Sequence, residues 1–316
     1  MDDLEEVRQK LGYGRVNLYG TSYGSRVAQV YMRRHPNSLR AVAMKGIVPA
    51  SMAMPEDHDR AADDAWKSIV ARCGKDAACH DMFPLPDVQL RELLKRLESN
   101  PVMTLPAFKE RPDTRIRISR GLFAEAFRNV LYTPEGVSQA PKVVHQLVNG
   151  DDRGIVETAL AGRRALGGDR LSAGFFLSVT CAEDIPFLAS DADARASGTF
   201  GGSYRLDQQR AACKEWPRGK VSSAHRQPAK SAIPTLLVSG ELDPVTPPSG
   251  GDEVLRDLSR GRHVIIRNNG HPIGNAEACI ARMIGQFLDA GSANGVNAQC
   301  ADAIPAIPFQ VPGKNK

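Results

Sequence analysis

The segment VNLYGTSYGSRVA, residues 16–28, constrains the fold more than any other part of this chain. An apolar, β-branched run meets Gly-Thr-Ser-Tyr-Gly, and a helix-compatible stretch follows. This G-x-S-x-G pattern is typical of a sharp strand-to-helix turn in which Gly20 and Gly24 leave room for a crowded backbone. It predicts Ser22 as an exposed nucleophile and the backbone amide of Tyr23 as an oxyanion donor. The alternative is a glycine-rich turn with an incidental serine.

Two later strand ends offer the partners that a serine nucleophile needs. IPTLLVSGELDPVTP, residues 233–247, is an apolar run that ends in a turn at Asp243, and RHVIIRNNGHP, residues 262–272, ends in a polar loop at His271. Catalytic groups of open α/β sheets collect at the carboxyl ends of the strands. We therefore expect Asp243 to orient the imidazole of His271, and His271 to accept the proton of Ser22. The alternative is that Asp243 is an ordinary turn residue and His271 an ordinary loop residue, both placed at strand ends by coincidence.

Composition and charge exclude several classes of protein. The chain has 316 residues, of which 42% are hydrophobic and 24% charged, so it is long and apolar enough for a buried core. Its net charge of +5 is spread along the sequence without a basic stripe interleaved with aromatics, which argues against nucleic-acid binding. No apolar run approaches a membrane span. The acidic start, with Leu4, Val7 and Leu11 at helical spacing, predicts an amphipathic helix and is not a signal peptide.

The order of predicted elements indicates an α/β fold with a mostly parallel sheet and a helical insertion. The predicted core elements are strands at 16–20, 41–48, 235–238 and 264–266 and helices at about 23–35, 249–259 and 276–289. The predicted insertion helices are 85–99, 119–132 and a pair across 141–166 that breaks at Asn149-Gly150. We predict three parts: 1–50 with the serine turn, 51–230 as a mainly helical cap over the catalytic edge, and 231–316 with the acid and the histidine.

Six cysteines bear on the compartment of the protein. None forms a C-x-x-C motif, so zinc and thiol redox sites are poorly supported. Six cysteines permit 15 pairings, and their order favours the local pairs Cys73–Cys79, Cys181–Cys213 and Cys279–Cys300. Disulfides imply an oxidising compartment. The alternative is six buried thiols in a cytosolic enzyme.

Several segments together resemble a known family: DLEEVRQKLGYGRVNLYGTSYGSRVA, TCAEDIPF, CKEWP, IPTLLVSGELDPVTPP and the closing C-x20-C. From residue 2 to about 309 the chain resembles α/β-hydrolases of the tripeptidyl aminopeptidase and proline iminopeptidase type. The resemblance implies an α/β-hydrolase fold with a cap, and a secreted or periplasmic serine exopeptidase without a metal or organic cofactor. It also implies the three local disulfides.

The same resemblance assigns roles to individual residues. Ser22 is the nucleophile, Asp243 the acid, His271 the base, and the acids Glu183 and Asp184 loosely match cap positions that bind the substrate's α-ammonium group. The expected product is a short peptide or a single residue released from a free N-terminus. The alternative for Glu183 is a structural acid beside a disulfide.

The sequence departs from the family pattern at its start. The family has several strands before the serine turn and a His-Gly-Gly-like loop that supplies a second oxyanion amide, which leads us to expect an N-terminally truncated chain. Loss of one oxyanion donor typically costs about 2.7–4 kcal/mol of transition-state stabilisation. The alternative functions are a carboxylesterase that acts on small acyl esters and a catalytically impaired fragment. The expected substrates are accordingly peptides or small esters.

Overall fold

The computed structural model describes residues 1–103, 117–167, 172–271 and 275–312, with only the backbone of Met103 and of 162–167. Within these ranges the chain forms two compact units. The sheet unit comprises Met1–Met52 and Val221–Ala306, and the helical unit comprises Ala53–Lys220 and Ile307–Lys316. Among the described helices, none is both long and apolar enough to cross a membrane.

The described residues contain six strands and fourteen α-helices. The strands are β1 (Val16–Thr21), β2 (Leu39–Lys45), β3 (Val102–Met103), β4 (Arg117–Ile118), β5 (Thr235–Gly240) and β6 (Gly261–Ile266). The helices are α1 (Asp2–Lys10), α2 (Tyr23–Arg34), α3 (His58–Lys75), α4 (Ala77–Met82), α5 (Pro86–Ser99), α6 (Arg120–Val130), α7 (Pro134–Val148), α8 (Asp152–Gly167), α9 (Ala173–Glu183), α10 (Ala192–Ser197), α11 (Tyr204–Glu215), α12 (Pro248–Leu255), α13 (Glu277–Ala290) and α14 (Gln299–Asp302).

The sheet unit is built on four parallel strands in the order β1-β2-β5-β6. Alternation along β2 shows why both faces are covered: Ala41 and Ala43 face a core shared with α13, while Val42 and Met44 face a core shared with α2 and α12. Successive side chains of a strand point to opposite faces, so an almost continuous apolar strand needs helices on both sides. The predicted α/β fold is confirmed, and every carboxyl end of these strands lies at the same edge.

The helical unit is held by an aromatic core and by disulfides. Trp66 and Phe127 meet edge to face with ring centroids 5.3 Å apart, and Phe123 and Phe200 flank Phe127. Disulfides tie α3 to α4 through Cys73–Cys79 and α9 to α11 through Cys181–Cys213, and a third ties α13 to α14 of the sheet unit through Cys279–Cys300. These are the three local pairs expected from the sequence.

Three predicted features differ from the structure. The helix expected to begin at Pro141 begins at Pro134, because the Thr133 side chain caps it by accepting a hydrogen bond from the Gly136 amide, and Pro141 lies inside it. The hairpin of β3 and β4 was not predicted, since each strand has only two residues. The apolar positions Leu4 and Val7 of α1 and Leu11, which follows it, are 44–62% exposed, and the buried residue of α1 is Glu5.

Candidate active site

Ser22 sits between the end of β1 and the start of α2 with an unusual backbone. Its φ of 56° and ψ of −123° lie outside the regions that non-glycine residues favour, which costs on the order of 1–3 kcal/mol. The Ser22 amide donates to the Lys45 carbonyl at 2.8 Å, and Ser25 donates its amide and its hydroxyl to the Ser22 carbonyl at 2.9 and 2.6 Å. Such strain persists only where the surrounding structure holds the backbone in place. Ser22 lies in a sharp turn between a strand and a helix, as the G-x-S-x-G pattern predicted.

The two glycines that flank the turn have different roles. A β-carbon at Gly20 would lie 2.2 Å from the Gly24 carbonyl oxygen, so the first turn of α2 passes directly over the end of β1. A β-carbon at Gly24 would meet nothing within 4 Å. Only Gly20 is therefore required by close approach, and the expectation that Gly24 also relieves crowding is wrong. Tyr23 is the first residue of α2, where the helix end carries partial positive charge.

Asp243 lies in the turn after β5 and is held in one orientation by several donors. The residue is 2% exposed, and Oδ1 accepts the amides of Val245 and Thr246 at 2.9 and 2.8 Å. Oδ2 accepts the Thr246 hydroxyl at 2.8 Å and lies 2.8 Å from Nδ1 of His271. A buried carboxylate with this many donors is a rigid acceptor for an imidazole N–H.

His271 follows β6 and packs against the end of β2. Because Nδ1 faces the Asp243 carboxylate, the N–H of the imidazole belongs on Nδ1 and the lone pair on Nε2, as a general base requires. Gly46, which follows Lys45 at the end of β2, has a φ of 62°, and a β-carbon there would lie 2.9 Å from Cε1 of His271. Gly46 directly follows Lys45, whose carbonyl accepts the Ser22 amide, so two consecutive residues contact Ser22 and His271. The structure thus gathers Ser22, Asp243 and His271 at one edge of the sheet.

Thr246 is a member of the site that the sequence reasoning missed. Its hydroxyl donates to Asp243 and lies 3.2 Å from Nδ1 of His271, so it touches both partners of the acid–base pair. The side chain is 1% exposed. A threonine three residues after an aspartate, in a turn bounded by prolines, is the sequence signal that points to it, because hydroxyls in such turns bond back to the aspartate.

A second serine, histidine and aspartate are hydrogen-bonded together elsewhere in the sheet unit. Nε2 of His263 lies 2.9 Å from the Ser239 hydroxyl, and Nδ1 lies 2.9 Å from Oδ1 of Asp252. Ser239 is fully buried inside β5, and among the described non-glycine residues only Ser22 and Asn268 have positive φ. A buried hydroxyl on regular strand backbone is not an accessible nucleophile, so we interpret this set as structural.

The two acids expected to bind the substrate's amine lie in the helical unit. Glu183 ends α9 next to the Cys181–Cys213 disulfide and is half-buried. Asp184 is fully buried, and its Oδ1 accepts the Met54 amide at 3.0 Å. The Asp184 carboxylate therefore has a structural partner, whereas the position of Glu183 leaves part of its surface accessible.

A parallel sheet with a strained serine turn, an acid turn and a histidine loop at its carboxyl edge is the arrangement of the α/β-hydrolase fold. Residues 199–300 match the family described as TAP-like protein. Serine protease Hip1 from Mycobacterium tuberculosis is 27% identical over 94% of this chain and 60% of its own length. Tripeptidyl aminopeptidase from Streptomyces coelicolor is 21% identical over 95% of this chain and 56% of its own length.

These matches confirm the predicted resemblance to the tripeptidyl aminopeptidase type of α/β-hydrolase. Among solved structures, a thermophilic esterase from Thermogutta terrifontis is 17% identical, with a TM-score of 0.35 over 92% of this chain and 71% of that one. The chain spans 56–60% of the length of the curated relatives that it matches.

Proposed function

We propose that this chain carries the catalytic triad of a serine aminopeptidase that releases short peptides or single residues from free peptide N-termini. The observation that carries the proposal is the 2.8 Å contact between Asp243 and Nδ1 of His271 at the edge of the sheet where the strained Ser22 lies. The relatives described above, a serine protease and a tripeptidyl aminopeptidase, support peptides as the substrate class.

The proposed chemistry is acyl transfer through Ser22. Nε2 of His271 accepts the hydroxyl proton as Oγ attacks the scissile carbonyl, and the Tyr23 amide stabilises the oxyanion. Asp243 keeps the imidazole oriented and stabilises its protonated form. His271 then protonates the leaving amine, and water attacks the acyl-enzyme by the same route in reverse. Each of these steps uses only side chains and amides of this chain.

Glu183 is the better of the two candidate residues for recognition of the substrate's α-ammonium group. A carboxylate facing an ammonium group makes a charge-assisted hydrogen bond, but it must be reachable. Asp184 is wholly buried and engaged by the Met54 amide, while Glu183 is half-buried. We therefore assign amine recognition to Glu183 and a structural role to Asp184.

An oxidising compartment fits the same proposal. Three disulfides account for all six cysteines of the chain. Disulfides persist in secreted and periplasmic proteins and are rare in the cytosol. We accordingly propose that the enzyme works outside the cytoplasm.

The first test is covalent labelling with a fluorophosphonate, read by intact mass on the 316-residue chain. We expect one adduct that is absent from Ser22→Ala and retained in Ser239→Ala, which is the matched control because Ser239 contacts His263, and His263 in turn contacts Asp252. A folded chain that forms no adduct, or whose adduct survives Ser22→Ala, contradicts the proposal.

The second test distinguishes an aminopeptidase from an esterase. A tripeptide anilide with a free amine should be cleaved, its acetylated analogue should not, and Glu183→Gln should raise KM for the free amine alone. Equal cleavage of both anilides, or turnover of short nitrophenyl esters without any peptide cleavage, would favour the carboxylesterase instead.

A further inference from the structure

The sheet unit has a basic depression at the edge opposite the active site. It has a volume of about 750 Å³, and the charged side chains that line it are Arg15, Arg33, Arg40, Lys230 and Arg260. Arg15 directly precedes β1, Arg40 is the second residue of β2, and Arg260 directly precedes β6. In a parallel sheet these amino ends meet at one edge, so the fold gathers cations that are scattered along the sequence.

The charge of this depression is of one sign. Its lining, all of it in the described part of the sheet unit, contains five basic side chains and no acidic ones. The chain as a whole has 41 Lys and Arg against 36 Asp and Glu, so composition alone would give a mixed set. Like charges on one concave surface focus a positive potential that raises the local concentration of anions.

Two of the five cations have a structural explanation. Arg40 donates to the carbonyls of Leu288 and Asp289 at the end of α13, and Arg33 in the last turn of α2 donates to the Gln227 carbonyl. Cations at helix carboxyl ends complement the negative end of the helix dipole. Burial and the nearby Arg34 guanidinium lower the pKa of Arg33, which is consistent with uncompensated positive charge here.

The other three cations have no such partner. Arg15, Lys230 and Arg260 are exposed, and none of their side chains forms a hydrogen bond or an ion pair with any residue in the described ranges. Their side chains add to the field of Arg33 and Arg40 without a counter-charge from the protein. An arginine fork matches the oxygens of a phosphate in two parallel hydrogen bonds, and a lysine supplies a point charge.

We propose that the basic depression binds a compact ligand whose phosphate groups carry two or more negative charges. A phosphate headgroup of a lipid and a free oligophosphate present this chemistry equally, and its volume of about 750 Å³ suits either. The site lies apart from Ser22 and does not depend on the catalytic proposal.

The test is calorimetric titration of the 316-residue chain with tripolyphosphate at low ionic strength. We expect saturable binding that weakens as salt rises, because salt screens the attraction between the phosphate groups and the basic side chains. The triple variant Arg15→Gln, Lys230→Gln, Arg260→Gln should bind about tenfold or more weakly. All three side chains are exposed and unpartnered, so the fold should persist, and a thermal melt checks it.

The matched control is Lys10→Gln, Arg267→Gln, Arg282→Gln. These residues are exposed, lie in the same unit outside the depression, and remove the same three charges of the same types. The control should bind within about threefold of the parent. Equal weakening in both triple variants would show that only net charge matters and would overturn the proposal. The proposal also fails if the parent chain binds neither tripolyphosphate nor vesicles that contain phosphatidic acid.

A second arm identifies the source of the phosphate. Phosphatidylcholine vesicles with and without phosphatidic acid are sedimented with the parent chain and with both triple variants. Retention that needs phosphatidic acid and is lost only in the depression variant supports a lipid headgroup, whereas tripolyphosphate binding without such retention supports a soluble ligand. Retention by pure phosphatidylcholine, or equal retention of both variants, contradicts phosphate recognition by the depression.

Discussion

Gly46 and His271 are packed so closely that no other residue fits at position 46 without moving the imidazole. A β-carbon on Gly46 would lie 2.9 Å from Cε1 and 3.4 Å from Nδ1 of His271, and 3.1 Å from the Thr246 hydroxyl. The φ of Gly46 is 62°, a left-handed conformation that glycine adopts without cost. The close packing at Gly46, directly after β2, thus fixes one side of the His271 imidazole.

Gly46→Ala is therefore expected to damage catalysis more than stability. The left-handed conformation costs alanine about 1–2 kcal/mol, and relief of the collision displaces the imidazole from Ser22. A misplacement of about 1 Å can lower kcat about 100-fold while KM changes little. Peptidase kinetics and urea unfolding measure the two effects.

Gly12→Ala separates strain from collision. Gly12 has a φ of 71°, and a β-carbon there would meet nothing within 4 Å. This variant should lose a similar amount of stability, about 1 kcal/mol, and keep its activity. If Gly46→Ala turns over substrate as fast as Gly12→Ala does, the close contact between Gly46 and His271 has no catalytic importance.

Thr246→Val tests the hydroxyl that contacts both Asp243 and His271. Valine keeps the shape of the side chain but removes the donor at 2.8 Å from the Asp243 carboxylate. Hydrogen bonds to charged groups contribute about 1.5–3 kcal/mol, so kcat/KM should fall about 10- to 100-fold, mainly through kcat. Thr246→Ser keeps the hydroxyl and should stay within a few-fold of the parent. Equal activity of the valine and serine variants would show that Thr246 is only a packing residue.

The local sequence predicted the strand and the helix around Ser22 well because each element there obeys short-range rules. The strand and helix around Ser22, predicted at 16–20 and 23–35, are observed at Val16–Thr21 and Tyr23–Arg34. The predicted strand at 41–48 ends earlier, at Lys45, because Gly46 turns the backbone into the left-handed region. A glycine can adopt a positive φ but need not, so the sequence alone does not reveal this turn. Gly46 is in close contact with His271, which lies 225 positions later, beyond the reach of short-range rules.

Long-range polar pairing explains what sequence reasoning missed. The apolar residues of α1 suggested its buried face, yet Glu5 is buried because Tyr31 and Ser38 on later elements donate to it. Periodicity scores each position by its own polarity and cannot include partners about 30 residues away. Thr246 escaped notice for a related reason, since its role depends on His271 from another strand end.

Glu5→Gln should make the sheet unit less stable at neutral pH and less sensitive to acid. The Glu5 carboxylate accepts hydrogen bonds from Arg8 at 2.7 and 2.8 Å, from the Tyr31 hydroxyl at 2.5 Å and from the Ser38 hydroxyl at 2.9 Å. The hydrogen bond from Arg8, and next that from Tyr31, lowers the pKa of Glu5 well below its usual value of 4.5. A lowered folded-state pKa gives stability that is present above the unfolded value and lost as pH falls below it.

The measurement is the urea midpoint at pH 7 and at successively lower pH. Glu5→Gln should lower the midpoint at pH 7 and flatten its decline below pH 4.5, because the variant has no proton to gain at this position. Glu6→Gln, an exposed neighbour on the same helix, is the control and should follow the parent at every pH. A decline below pH 4.5 as steep in the Glu5 variant as in the parent would show that protonation of this carboxylate does not cause the acid sensitivity.

Asp59 in the helical unit should have the opposite pH dependence. Its side chain is buried, a β-carbon on Gly201 would lie 2.1 Å from its Oδ1, and Oδ2 has no hydrogen-bond partner among the described residues. Burial, with repulsion from Glu125, raises the pKa of Asp59 from 3.8 to about 7, although nearby arginines oppose the shift. The native state therefore holds this proton at pH values where the unfolded chain has released it.

Stability should consequently fall as pH rises from about 4 to about 7, and Asp59→Asn should remove that fall. The variant gains relative to the parent across this window by up to about 4 kcal/mol, since each pKa unit corresponds to about 1.4 kcal/mol. Urea unfolding between pH 4 and pH 8, with the disulfides intact, measures the difference. Asp64→Asn on the same helix α3 is exposed and should leave the pH dependence of the parent unchanged. A gain for Asp59→Asn that is the same at pH 4 and pH 8 would mean that packing against Gly201, and not the buried charge, destabilises the helical unit.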